Sequence, residues 1–434
     1  MSYTHSWNRT LYRMKNLLLV TYFWPPSGKA SVHWPLRMSQ HLPSHGWNPV
    51  ILTVDKDTFS HHDSTSAFAA NPDLEVVRAG GVEPFDLYRR FMGKPVGAPL
   101  QASEAISRTN TGLRHRISVW IRMNLFVPDA RVGWYWSAVR KARKAFSGRS
   151  FDAVLSVGPP HTALLVGSKL ARVFGAPHIP VLIDPWTDIV YYRGFWRNPV
   201  ALAVDRALER RVLESAADVV FITQSMRSDY IVKYPAIEPR SHVLYWGYDE
   251  SPFLTGVRQP LTPHRTMIHA GNIFDYQNPR RFWRTVRSIN DTGLDLRLVF
   301  IGTVGPEIRE SIRAEGLEPK TSYRGFLPYD EMIKELVRAD YLMVCASEKR
   351  HVPGKLFEYL RSRKPILAFG DDNEEVRTIL SEASAGLLVP YDDSAEQFFS
   401  RSWGGGPALD VVRKYDRRSI AQDLSGILER SPIS

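Results

Sequence analysis

The sequence predicts an α/β protein built from two tandem, doubly wound domains of parallel strands covered by helices. Short β-branched segments bounded by Gly, Pro or Asp alternate with helical patterns along most of the chain. A break over 249–265, carrying Pro252, Pro260 and Pro263, divides that series into two similar halves. The 434 residues also exceed what one ordinary core accommodates. The expected parts are a disordered basic lead-in over 1–15, a first domain over 16–250, a second over 266–405, and a C-terminal helical stretch over 406–434.

In the first domain, Asn16–Thr21 reads as a buried strand, Val32–Leu42 as a helix (Val32, Leu36, Met38 and Leu42 at helical spacing) and Pro49–Val54 as a second strand. Leu74–Arg78 is a candidate third strand. Residues 79–130, rich in Gly, Pro and Arg, read as an insertion or mobile surface with at least one helix. Alternation resumes with strands at Asp152–Val157, His178–Ile183, Asp218–Ile222 and His242–Tyr245. Helices at Thr162–Phe174, Val200–Ala216 and Ser225–Lys233 lie between them. In the second domain the strands are Thr266–Ala270, Leu296–Ile301, Thr321–Tyr323, Asp340–Ala346, Ile366–Phe369 and Gly386–Val389. Its helices are Pro306–Glu315, Tyr329–Arg338, Lys355–Arg361 and Glu374–Glu382, followed by helical patterns over 395–400 and 408–428.

Composition narrows the class. With 44% hydrophobic and 23% charged residues, the chain is neither disordered nor collagen-like. Its single cysteine, Cys345, lies in an apolar run and permits no disulfide framework, which fits a cytoplasmic setting. No signal peptide is recognisable, and no apolar run reaches the roughly 18–20 residues a spanning helix needs. The net charge of +11 is uneven: 108–149 holds ten Arg and Lys residues against the single acid Asp129. With Trp120, Ile121, Met123, Leu125 and Phe126 interleaved, this segment suits a peripheral contact with an anionic membrane surface, and equally a solvated helix face. No nucleic-acid motif accompanies the charge, so no nucleic-acid partner is expected.

Ligands of doubly wound folds bind beyond the carboxyl ends of the strands, so the loops there hold the candidates. After the first strand, Gly28 lets a phosphate or sugar approach the backbone and Lys29 supplies charge; a plain βα turn would read the same way. After Val157, His161 opens a helix, where the dipole disfavours its protonated form. After Ile183 come Asp184, Trp186 and Asp188, two carboxylates and an indole suited to sugar hydroxyls and ring faces; Asp184 equally suits a helix cap. In the second domain Gly271 and Asn272 follow one strand and Gly302 follows the next. Pro353-Gly354-Lys355-Leu356-Phe357-Glu358 opens a helix, with unpaired N–H groups and the positive dipole end drawing anions to Gly354 and Lys355. Glu358 lies one turn on, near the same face, placed for the hydroxyls of a ribose. Metal signals are poor: there is no HExxH and no Cys pair, and His61-His62-Asp63 reads as a solvated loop. Gly354-Lys355 is not a P-loop either, since it lacks the upstream glycine and the Ser/Thr after the lysine.

The motifs NLLLVTYFWPPSGKASVHWPLRMSQHLPSHGWNPVILT, VPDARVGW, SVGPPHTA, IDPWTD, LERRVLESAADVVFIT, HAGNIFDYQNPRRF, FIGT, YRGFLPYDEMIKELVRADYLMV and PGKLFEYLRSRKPILAF together resemble the bacterial glycosyltransferases of family four, over nearly the whole chain. These are retaining, nucleotide-sugar-dependent enzymes of the GT-B fold. The resemblance implies two Rossmann-like domains facing across a cleft, with the last helix crossing back to the N-terminal domain. It implies that the C-terminal domain holds the donor and the N-terminal domain a glycan or lipid-linked acceptor, in cell-surface polysaccharide biosynthesis at the inner face of the membrane. It implies no metal and no cofactor, with helix N-termini and basic side chains taking the diphosphate. By position, Gly28, Gly271, Asn272, Gly302, Gly354, Lys355, Leu356 and Glu358 become donor contacts. Asp184 and His161 become the catalytic candidates, and Trp186, Asp188 and Lys29 the acceptor or sugar contacts.

The chain departs from the family pattern in three places. Where relatives often carry a first, sugar-contacting glutamate it has Arg350, with Glu348 two residues away. Gln277 and Ile183 stand where relatives often carry arginine, which leaves Arg280 or Arg281 for a phosphate contact. Two other functions suit the same fold: a nucleotide-sugar 2-epimerase, and a catalytically silent scaffold that binds a partner or membrane.

Overall fold

The computed structural model describes residues 13–58, 71–81, 113–188, 196–254 and 263–431. Most of the lead-in, the His61-His62-Asp63 run, the 82–112 part of the expected insertion and the middle of the Pro-bearing break lie outside the described residues. Two compact units result, each with its own parallel sheet.

In the first unit, β1 (Lys15–Thr21), β2 (Trp47–Val54), β3 (Val76–Ala79), β4 (Ala153–Gly158), β5 (His178–Leu182), β6 (Val219–Phe221) and β7 (Ser241–Val243) are ordered β3-β2-β1-β4-β5-β6-β7. β1 pairs with β2 on one side (Leu17 opposite Pro49) and with β4 on the other (Leu17 opposite Ala153), so the winding direction reverses at β1. The helices are α1 (His33–His41), α2 (Leu113–Leu125), α3 (Trp134–Ala145), α4 (Thr162–Phe174), α5 (Pro199–Glu214) and α6 (Gln224–Lys233), of which α6 groups with this unit only from Tyr230 and with the second unit up to Asp229. α4 ends on Gly175, whose φ of 63° allows its N–H to close on Ala171. α5 starts with Pro199 behind Asn198, whose side chain accepts from Val200 N at 2.8 Å.

The basic segment is two helices rather than one basic stripe. α3 turns Trp134, Ala138, Val139 and Ala142 into the core beside β1, β2 and β4, leaving Arg140, Lys141, Arg143 and Lys144 in solvent. Its apolar residues are therefore mostly core. Those of α2 divide: Val119 and Met123 are buried, whereas Ile117, Trp120 and Leu125 are exposed.

The second unit holds β8 (Arg265–Ala270), β9 (Leu296–Ile301), β10 (Thr321–Gly325), β11 (Tyr341–Cys345), β12 (Ile366–Phe369) and β13 (Gly386–Val389) in the order β10-β9-β8-β11-β12-β13, reversing at β8. Each central strand is buried on both faces. Ile268 and Ala270 of β8, Leu342 and Val344 of β11, and Ile366 and Ala368 of β12 enter one core; Met267, Met343, Leu367 and Phe369 enter the other. Its helices are α7 (Arg280–Asp291), α8 (Pro306–Ala314), α9 (Tyr329–Arg338), α10 (Lys355–Ser362), α11 (Glu374–Glu382), α12 (Glu396–Ser400) and α13 (Leu409–Val412). The sequence reading assigns no element to α7. Four arginines dilute its apolar pattern, yet Phe282, Trp283 and Val286 are fully buried on one face.

The last helix, α14 (Arg417–Arg430), groups with the first unit from Ala421 onward. There Ser425 donates to the carbonyl of His45 at 3.5 Å, Glu429 pairs with Lys15 at 3.6 Å, and Ser431, just past the helix, donates to Asp218 at 2.6 Å. The expected helical pattern over 408–428 is thus interrupted, by a 3-10 turn at Arg413–Tyr415.

Candidate functional site

In the second unit the sequence candidates gather at the ends of β8, β9 and β11. Gly354 caps α10, and a Cβ there would sit 2.9 Å from Cδ1 of Trp246, so the residue must be small for the helix to seat against that indole. Lys355 follows, with Nζ 3.4 Å from Met332 Sδ and 6.0 Å from the centre of the Tyr329 ring. Leu356 is fully buried in the core and its N–H turns back to Pro353 O at 2.9 Å, so neither its side chain nor its amide is offered to a donor. Glu358 is 3% exposed. Its Oε1 accepts a long 3.4 Å hydrogen bond from Tyr329, and its Oε2 is buried with no partner among the described residues. Burial raises the carboxyl above its usual range, against the opposing pull of Lys355 and Arg417. Arg417 is itself buried and held to Asp249 at 2.8 Å. Tyr359 OH accepts from Ala270 N at 2.7 Å, which ties α10 to the end of β8.

Two positions that the sequence did not flag hold this corner in place. Asn373, fully buried, donates from Nδ2 to the carbonyls of Glu348 (2.8 Å) and His351 (2.9 Å) in the loop before Gly354, and caps α11 through Val376 N. Trp246 supplies the surface on which Gly354 rests. Neither belongs to a recognisable motif.

Gly271 and Gly302 are needed for each other. Both have positive φ, 129° and 122°, and a Cβ on Gly302 would collide with the Gly271 carbonyl. Asn272 Oδ1 accepts from Thr303 N at 3.1 Å across the same junction. The close backbone approach expected at these glycines is therefore that of one strand end to the next. Gln277 is built into the loop, donating to Ser347 Oγ at 2.8 Å and accepting from Phe274 N at 3.0 Å. Arg280 and Arg281 turn to Glu307 and the Asp392 carbonyl. Arg350 pairs with Asp229 at 2.7 Å.

In the first unit, Gly28 and Lys29 follow a turn closed by Ser27 N on Trp24 O at 3.0 Å. Arg78 pins that loop by donating to Pro25 O at 2.7 Å and Val54 O at 3.1 Å. The buried Ser27 hydroxyl beside Gly28 has no partner among the described residues. His161 and Asp184 come together, with His161 Nε2 donating to the Asp184 carbonyl at 3.3 Å. Asp129 of the VPDARVGW motif caps α4, accepting from the Thr162 amide and hydroxyl at 2.9 Å each.

Trp186 departs from expectation. It is 1% exposed, stacked on His161 at 5.1 Å, and donates from Nε1 to Asp205 at 2.7 Å. Its indole braces the imidazole and presents no open face to a sugar. Asp188 is exposed but held by Lys233 at 2.8 Å. Beneath this loop lies the fully buried Glu209, which belongs to the LERRVLESAADVVFIT motif but to which the sequence assigns no site role. It accepts from Thr187 N (3.2 Å) and Oγ1 (3.0 Å), Tyr230 OH (2.7 Å), Tyr234 OH (2.7 Å) and Lys233 Nζ (2.6 Å).

Residues 264–401 match the family model of the group 1 glycosyl transferases. This segment is a group 1 glycosyltransferase domain. Several solved structures resemble the chain over nearly its full length. Sucrose-phosphate synthase from Thermosynechococcus elongatus is 12% identical, with 96% of this chain and 98% of that one covered and a TM-score of 0.60. Anabaena HepE in complex with UDP-glucose is 13% identical, with 96% and 99% covered and a TM-score of 0.58. A UDP-N-acetylglucosamine 2-epimerase is 14% identical, with 94% of each chain covered and a TM-score of 0.50. At these identities the likeness establishes the fold, two Rossmann-like domains as in GT-B. No curated protein sequence matches the chain. Because the epimerase shares that fold, the fold alone does not separate the two classes, and it is the family match of 264–401 that points to glycosyl transfer.

In a glycosyltransferase this arrangement has definite chemical capacities. A helix start with an adjacent ammonium neutralises a diphosphate without a metal. A buried carboxylate with an open lone pair accepts from a vicinal diol. Among the described residues, no group of three or more His, Cys, Asp or Glu side chains is placed to hold a metal ion, and no helix is long and apolar enough to cross a membrane.

Proposed function

We propose that this glycosyltransferase moves a sugar from a nucleotide-diphosphate donor to a glycan or lipid-linked acceptor in cell-surface polysaccharide biosynthesis, working on the cytoplasmic side of the membrane. The observation that carries the donor assignment is the buried Glu358 carboxylate, with an unpartnered Oε2, one turn from Gly354 and Lys355. In this reading the start of α10 and Lys355 take the diphosphate and Glu358 takes the ribose hydroxyls. Asp184 and His161 are the catalytic candidates, with Trp186 bracing the imidazole. With retention, the acceptor oxygen bonds to the anomeric carbon on the face the diphosphate leaves, and the acceptor proton passes to the departing phosphate oxygen. The nucleoside diphosphate and the new glycoside are the products.

A melting screen against UDP, GDP, ADP and dTDP tests the donor claim. A nucleotide at one hundred times its Kd should stabilise the folded chain by about 2.7 kcal/mol. If none of the four raises the melting temperature, the donor assignment is wrong. A 2-epimerase would convert the donor with no acceptor present, which product analysis detects. The silent-scaffold reading draws its support from Gln277, which is turned into its own loop where relatives often carry arginine. It requires no turnover with any donor and acceptor extract.

The membrane contact is a separate proposal. It rests on the exposed Ile117, Trp120 and Leu125 of α2 and the solvated cations of α3. Binding to anionic vesicles is expected, weakening as salt rises. Equal binding to neutral vesicles at every ionic strength rules it out.

A further inference from the structure

The first unit also carries a basic pocket that the donor and catalytic assignments leave unused. It encloses about 450 Å³ and is lined by Ala203, Arg206, Ala207, Arg210, Lys233 and Tyr234. The first four recur at helical spacing on one face of α5, so two short side chains form a floor between two arginines. Across from them, Lys233 and Tyr234 close the end of α6.

The charges here are only partly offset. Arg206 and Arg210 are exposed at positions i and i+4, where like charges repel. Glu214 reaches Arg210 only at 3.9 Å, and no ion pair engages Arg206 among the described residues. Arg210 lies over the Tyr234 ring at 5.7 Å, and the Tyr234 hydroxyl is fixed on Glu209 at 2.7 Å. Two guanidinium forks and an ammonium around a volume of this size match the oxygens of a phosphate or diphosphate group.

We propose that this pocket is a phosphate subsite. Its ligand carries a phosphate monoester or diphosphate, free in solution or borne on a lipid. The pocket reports to the loop after β5, because Lys233 Nζ also donates to Asp188, Thr187 and Glu209 at 2.6–2.8 Å. An anion in the pocket competes with Asp188 for that ammonium.

The test is calorimetric titration of the full chain with sodium pyrophosphate. The start of α10 is also assigned a diphosphate, so the titration is repeated with Lys355→Ala. A saturable event that survives Lys355→Ala and loses at least tenfold in affinity in Arg206→Ala/Arg210→Ala supports the subsite. A second arm compares phosphatidylcholine vesicles with and without phosphatidate. Phosphatidate-dependent binding that the double substitution removes assigns a lipid-borne phosphate, whereas a pyrophosphate effect alone assigns a free one. Both arginines are exposed, so an unchanged melting temperature checks that the double variant folds. The proposal is overturned if wild type and double variant bind both probes alike. That outcome leaves the donor assignment untouched, since nucleotide binding is scored on Glu358 and Lys355 in the other unit.

Discussion

Replacing Glu209 by alanine is expected to destabilise the first unit by roughly 3–5 kcal/mol, because several buried donors lose their acceptor at once, each at about 1–3 kcal/mol. Five donors converge on this carboxylate, which is fully buried. Without it the Tyr230 and Tyr234 hydroxyls and the Thr187 pair lose their acceptor, and Lys233 keeps only the exposed Asp188 as a carboxylate partner. The damage reaches the catalytic candidates, because Tyr230 OH accepts from Trp186 N at 2.8 Å and Trp186 stacks on His161. Denaturant unfolding measures the first effect. Turnover under conditions where the variant stays folded measures the second, and it should fall while nucleotide affinity holds. Glu209→Gln retains one acceptor oxygen and is expected to lose less on both counts. If Glu209→Ala lies within about 1 kcal/mol of wild type, the convergence carries little energy, as is common only for exposed pairs.

The sequence made the repeating frame legible and left its fastenings hidden, and the reason is range. Elements such as Thr162–Phe174, Tyr329–Arg338 and Ile366–Phe369 are set by local periodicity and by Gly, Pro or Asp at their ends, which a single chain displays. α7 escaped because period and composition conflict there: three buried apolar side chains and the buried Thr285 sit among four arginines. Glu209 and Arg78 are ordinary helix and strand residues, and Asn373 an ordinary helix cap, until partners 21 to 53 positions away fold against them. Leu356 and Trp186 show the converse. Their motifs were visible, but which face of a helix start or loop turns inward depends on the neighbouring layer. The loops that carry the candidate site could be found because they follow strands; what each side chain does within them could not.

Glu358→Gln should make the protein more stable and a poorer binder of its donor, and the pH dependence separates this from general damage. Burial raises the folded-state pKa of Glu358 above its ordinary value of 4.5. Between those two values the folded state holds a proton that the unfolded state has released, so wild-type stability falls as pH rises through that window. Above the raised folded pKa the carboxylate is ionised and buried with Oε2 unpartnered, a situation that typically costs about 1–3 kcal/mol. The neutral amide relieves that charge. Its stability advantage should therefore be largest above the raised folded pKa and vanish below about 4.5. Lys355 and Arg417 oppose the gain, since both favour the ionised acid, and the buried Arg417–Asp249 pair keeps Arg417 in place after the substitution. Donor binding moves the other way. A carboxylate accepts from two ribose hydroxyls at once, whereas the amide presents one oxygen and one donor, so affinity should drop roughly tenfold or more, in line with the loss of a charge-assisted hydrogen bond. Unfolding curves from pH 4 to 8, paired with nucleotide titrations, measure both. A variant less stable than wild type throughout, or one that keeps full nucleotide affinity, would remove Glu358 from the donor site. A variant more stable and weaker in binding would identify a buried carboxylate kept for its ligand at the expense of the fold, as expected of a group whose partner arrives from outside the chain.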